Sequence, residues 1–162
     1  MSNPETKKYQ MNSPENSKKF KKKEKTALNK LVLFLSIRDH TELELRQKLA
    51  KDFSSLEIQE AIEFAKEHEL MKTPEQLSTQ LYHELSRKNK GYLYIIKYLR
   101  AKGLPHHSID REQELEKARK LVLTKLQIEG MPSHEDKIKI YRLLTNRGFD
   151  DQTIRTVAHE ES

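Results

Sequence analysis

Cysteine and tryptophan are absent from the 162 residues, and there are only four glycines and five prolines. Without cysteine there can be no disulfide, no thiolate metal site and no cysteine nucleophile. So little glycine and proline, beside much Leu, Lys, Glu, Arg and Gln, favours helix over sheet. Long apolar runs are missing too. The run Leu31-Val32-Leu33-Phe34-Leu35 is as long as any, far short of the ~20 residues that a membrane span needs. The N-terminus shows no apolar stretch of the secretory kind, so a cytoplasmic protein with no membrane partner is expected.

What the chain does have is charge. Asp, Glu, Lys and Arg make up 35% of it, and the net charge is +6. The excess is uneven. Residues 1–25 carry eight lysines against three glutamates, which accounts for +5 of that +6. This segment has almost no aliphatic residues, so it cannot offset its ordering entropy by burial and is expected to be disordered. Its Lys18–Lys25 run has the composition of a non-specific phosphate contact or of a solubilising tail.

From Thr26 onward, helical periodicity alternates with short breaks. Helices are predicted over 26–37, 42–51, from Ser54 or Ser55, over 74–87, 92–102, 111–127, from Ser133 or His134 to Arg147, and over 150–159. Thr41 with Glu44 fits a capping box, and Thr73-Pro74-Glu75 reads as N-cap, first-turn proline and acidic first turn. No strand is expected.

Aligning the breaks exposes a repeat. The segment Ile95…Leu99-Arg-Ala-Lys-Gly103-Leu104-x4-Ile109 recurs 45 residues later as Ile140…Leu144-Thr-Asn-Arg-Gly148-Phe149-x4-Ile154. An earlier copy, Leu45…Leu49-Ala-Lys-Asp52-Phe53-x4-Ile58, is one residue shorter and has Asp in place of Gly. The middle helix of each unit is expected to end on a left-handed residue, which Gly supplies without a Cβ clash. The apolar residue after it then folds back onto the helix just left. This predicts an all-α chain of three tandem three-helix units in an elongated array: 26–72, 73–110 and 111–162, after the tail 1–25. The third helix of the middle unit should begin near His106, and is expected to be short or fused to the helix that follows.

These residues resemble the RecX family. Arg38-x-x-Thr41-x-x-Glu44-Leu45-x-x-x-Leu49 is similar to its first-unit pattern, and Lys90-Gly91…Ile95…Leu99-x-x-Lys102-Gly103-Leu104 to its second. The third match runs from Ile140 to Ile154, so the resemblance covers about residues 26–159. The chain departs from the family in three places. Thr73-Pro74-Glu75 stands where an Asp pair is frequent, Gly91-Tyr92 where Gly-Pro is usual, and the first unit lacks its Gly. The resemblance implies a non-enzymatic regulator that binds filaments of the recombinase RecA on DNA, usually inhibiting them.

The residues themselves suggest where such a partner would bind. Residues 85–109 hold Arg87, Lys88, Lys90, Lys97, Arg100 and Lys102 with no acid, and 137–149 add Lys137, Lys139, Arg142 and Arg147 with none. Segregated positive charge suits phosphates or an acidic protein face. Tyr94 and Tyr98 lie four apart beside Lys97, on a face that the repeat alignment turns outward. Aromatic plus basic is the composition of interface hot spots and of base-stacking surfaces. The candidate contact set is therefore Arg87, Lys88, Lys90, Tyr94, Lys97, Tyr98, Arg100, Lys102, Arg142 and Arg147.

No catalytic or cofactor motif is present. The seven histidines are scattered, no H-E-x-x-H occurs, and there is neither a P-loop nor a dinucleotide glycine motif, so no cofactor and no metal are expected. A monomer is expected. Two other readings fit the composition: a DNA-binding module with 92–102 as recognition helix, and a scaffold for a partner other than a recombinase.

Overall fold

The computed structural model describes residues 26–128 and 130–159, and the tail 1–25 with its expected disorder lies outside the described residues. The described residues form eight helices and no strand. They are α1 (Ala27–Ile37), α2 (Glu42–Leu49), α3 (Ser55–Glu67), α4 (Pro74–Arg87), α5 (Tyr92–Ala101), α6 (Arg111–Leu126), α7 (His134–Arg147) and α8 (Asp151–His159). None of them is long and apolar enough to cross a membrane.

Local chemistry explains most boundaries. Thr41, Ser54, Thr73 and Ser133 each start a helix with a full capping box, closed by Glu44, Glu57, Gln76 and Asp136. Each box satisfies two backbone N–H groups, one at the N-cap and one a turn into the helix. Thr26 and Asp110 cap α1 and α6 through their side-chain oxygens. Asp150 caps the last helix, accepting from the N–H and hydroxyl of Thr153.

The two glycine stops behave alike. Gly103 has φ +67° and Gly148 has φ +79°. The next residue, Leu104 or Phe149, sends its N–H five residues back to the carbonyl of Leu99 or Leu144 and buries its side chain. The first unit does it differently, which corrects the expectation of a left-handed residue there. Asp52 is not left-handed, and α2 ends in a turn where Asp52 and Phe53 both donate to the Leu49 carbonyl.

Among the described residues, three apolar clusters form the core. α1, α2 and α3 enclose Leu31, Leu45, Leu49, Ile58 and Ile62. α4 and α5 enclose Leu77, Leu85, Ile95, Leu99 and Leu104. α6, α7 and α8 enclose Ala118, Leu121, Ile140, Leu144, Phe149 and Ile154.

The middle cluster has two helices, because the third helix expected near His106 does not form: residues 104–110 are not helical. Pro105 pushes Leu104 out of the helical region, and Asp110 captures the next start for α6. Side chains hold this segment instead. The buried Ser78 hydroxyl donates to the Pro105 carbonyl at 2.6 Å, and the Tyr92 hydroxyl donates to the His107 carbonyl at 3.1 Å. The His107 ring lies against Tyr82, with centroids 5.2 Å apart.

Candidate functional site

α5 is the helix that meets both neighbours, and its start is unusual. Its N-cap is Gly91, which has no side chain to cap with. The N–H groups of its first turn, which have no acceptor within the helix, are satisfied from the third cluster. The buried Glu114 carboxylate accepts from Tyr92 N at 2.6 Å, and the Gly148 carbonyl accepts from Leu93 N at 2.9 Å and from Tyr94 N at 3.3 Å. Gly91 N donates to the Arg147 carbonyl at 2.8 Å. A carboxylate at a helix N-terminus also meets the positive end of the helix dipole. The sequence signal for this joint was the absence of any capping side chain before Tyr92, which requires a cap from elsewhere.

The other end of α5 meets the first cluster. Lys102 pairs with Glu44 at 2.5 Å, and Glu44 also takes Arg38 at 3.2 Å and the Thr41 N–H at 3.0 Å. Burial acts to raise the Glu44 carboxyl. The Lys102 ammonium, the Arg38 guanidinium and the Thr41 N–H outweigh it and hold the pKa down at about 2. Glu44 was legible as a capping residue but not as half of an ion pair between α2 and the end of α5.

Between these ends runs a ladder of side chains four residues apart. Lys90 sits over the Tyr94 ring at 4.3 Å, Tyr94 stacks on Tyr98 with centroids 6.4 Å apart and planes 14° from parallel, and Lys102 sits over Tyr98 at 5.2 Å. Tyr94 and Tyr98, at i and i+4, share one face of α5, and Lys90 before its N-cap and Lys102 at its C-cap extend the stripe at either end. Each ammonium is attracted to the negative face of a ring. Tyr94 is 37% exposed, whereas Tyr98 is half-buried against the middle core. The face is thus turned outward at Tyr94 and partly inward at Tyr98.

The remaining cations differ in how far they are engaged. Lys97 and Arg100 are exposed, and their side chains make no hydrogen bond or ion pair among the described residues. Arg87 is exposed, and Lys88 pairs with Glu84 at 2.5 Å. Arg147 joins the group from α7, its guanidinium donating to the Lys88 carbonyl at 3.3 Å. Arg142 stays apart, exposed on α7 with no hydrogen bond or ion pair to α5 among the described residues. No group of three or more His, Asp or Glu side chains among the described residues is placed to hold a metal ion.

Residues 27–64 match the family model for the first three-helix domain of RecX. The Regulatory protein RecX of Prosthecochloris aestuarii is 30% identical over 141 residues, spanning 83% of this chain and 92% of that protein. The chain belongs to the RecX family. The Actinobacillus pleuropneumoniae Regulatory protein RecX is similar at 31% identity over 76% of this chain and 85% of its own. RecX from Lactobacillus salivarius shares the fold in its crystal structure, with a TM-score of 0.64 at 20% identity over 81% of this chain and 91% of that one. A second RecX crystal structure gives 0.63 at 21% identity, over 81% and 70%.

Proposed function

We propose that this RecX protein modulates RecA by laying the exposed face of α5 against the recombinase filament on DNA. RecX proteins are regulatory and non-enzymatic, and RecA is the partner their family implies. The observation that carries the α5 assignment is the pair Lys97 and Arg100: exposed cations without partners among the described residues, beside the Lys90–Tyr94–Tyr98–Lys102 ladder, in a stretch with no acid. Unpaired cations lose no existing bond when they meet a phosphate or carboxylate, and aromatic rings among them suit hot-spot contacts. Each core cluster would mark one unit, 26–72, 73–110 and 111–162, and weak contacts from several units add through effective concentration. A monomer acting in the cytoplasm, beside RecA, fits this reading.

Direct DNA binding by α5 as a recognition helix is less favoured. Such helices contact bases with their N-terminal residues. The α5 N-terminus is taken up by Glu114 and Gly148.

The deciding measurement is DNA-dependent ATP hydrolysis by the cognate RecA on single-stranded DNA as this protein is titrated in. A change at sub-stoichiometric amounts supports action on the filament. A change only near saturation of the DNA favours competition for DNA, and no change at any ratio overturns the reading.

A further inference from the structure

α1 is apolar on more sides than its core needs. Ala27 and Leu31 enter the first cluster, yet Val32, Leu33 and Ile37 are 44%, 59% and 74% exposed. With Thr26, Leu28, Phe53 and Phe64, the residues Val32 and Leu33 line a groove of about 860 Å³, mostly apolar but with the mutually neutralising Lys30–Asp52 ion pair in its wall. A second recess shares Thr26, Leu28 and Phe64 with it and is edged by Glu57 and Glu60. Glu60 makes no ion pair among the described residues. An apolar slot with an acidic rim therefore opens where the described chain begins.

The chain entering at Thr26 is complementary to that slot. Residues 18–25 read Lys-Lys-Phe-Lys-Lys-Lys-Glu-Lys, one aromatic ring in a lysine run. Phe20 lies six residues from Thr26, a reach of up to roughly 20 Å. The stretch of α1 along the groove, from Thr26 to Ser36, is about 15 Å long. Phe20 can thus reach any part of it, with lysines on both sides facing the acidic rim. We propose that the groove is the seat of the chain's own N-terminal segment, with Phe20 in the apolar slot and the flanking lysines beside Glu57 and Glu60. The partner that fits this surface is thus intramolecular, and seating it covers the exposed face of α1 and neutralises part of the tail.

The absence of cysteine makes the test clean. A nitroxide on Ser17→Cys in the full-length chain should bleach the amide signals of Leu28, Val32, Leu33 and Phe64, and leave those of α7 and α8 intact. Phe20→Ser in the same labelled chain should restore the groove signals, and Glu60→Lys should weaken the bleaching. Glu60 is exposed and Phe20 lies outside the described residues, so amide dispersion should persist in both. Bleaching that is absent, or spread evenly over the body, overturns the proposal. So does bleaching that survives Phe20→Ser. Bleaching of an unlabelled, isotope-enriched chain by a separate spin-labelled one overturns it as well, by making the occupant a second copy. Groove signals that shift only when RecA is added would assign the slot to that partner instead.

Discussion

Gly91 and Gly148 face each other so closely that neither has room for a side chain. A Cβ on Gly148 would lie 2.5 Å from Tyr94 Cβ and 2.8 Å from Tyr94 N, and one on Gly91 would overlap the backbone of Gly148 and Phe149. This contact lets the Gly148 carbonyl reach the first turn of α5. Gly91 itself has an ordinary φ of −75°, so Ala there meets no backbone strain. Its cost isolates the close approach. Gly91→Ala should destabilise the protein by about 3 kcal/mol, the upper end for overpacking, because backbone cannot move aside as a side chain can. Thermal unfolding reads this as a drop of roughly 6–12 °C in Tm. An unchanged Tm would mean that α5 and α7 are not held together here.

Glu114 is the second clasp of the same joint. It is 2% exposed and bonds both to Tyr92 N and to Lys117, the latter at 2.7 Å. Glu114→Ala leaves a buried N–H without an acceptor and a lysine without its anion, and should cost about 1–3 kcal/mol. Glu114→Gln keeps an acceptor for Tyr92 and should cost less. Denaturant melts of the two variants give the order. Equal losses would mean that the charge matters and the cap does not.

The helices were legible because their boundaries are written locally. Thr41, Ser54, Thr73 and Ser133 announce their caps, and Gly103 and Gly148 their stops, within a few residues of the element concerned. The missing helix after Gly103 was half-legible: Leu104-Pro105 opposes it, but the repeat argued for it. At the site, the sequence pointed to a basic and aromatic α5, since that depends on composition and on a spacing of four. It could not show which cations were already engaged. Lys102 is bound to a carboxylate 58 positions away, and the Lys97 side chain has no partner among the described residues. Pairings at that range depend on how the clusters stack, which no local pattern encodes.

The Lys102–Glu44 bridge predicts acid sensitivity of one particular kind. Its carboxyl sits near 2 in the folded protein against an ordinary value of 4.5. A lowered folded value means that the bridge stabilises fully above the unfolded value. That stability drains away as pH falls from about 4.5 through about 2. Glu44→Gln retains the amide oxygen for the capping box and loses only the ionised form. Wild type should be the more stable at neutral pH by on the order of 2 kcal/mol, and the two proteins should converge as pH falls across that window. Parallel stability curves would show that the bridge contributes nothing.

Lys97 and Arg100 give the sharpest separation of binding from folding. Neither has a partner among the described residues, so the double change Lys97→Glu with Arg100→Glu should move stability by no more than about 0.5 kcal/mol. Lys102→Met, by contrast, breaks the bridge to Glu44 and should lower Tm. If the α5 face meets DNA phosphates in the filament, each lost phosphate contact should reduce the dependence of log affinity on log salt by about one unit. The double variant should then flatten that slope by about two and abolish the effect on RecA's ATP hydrolysis. Loss of the effect with an unchanged salt slope would place both cations against an acidic surface of RecA rather than against DNA. Full activity would remove α5 from the contact.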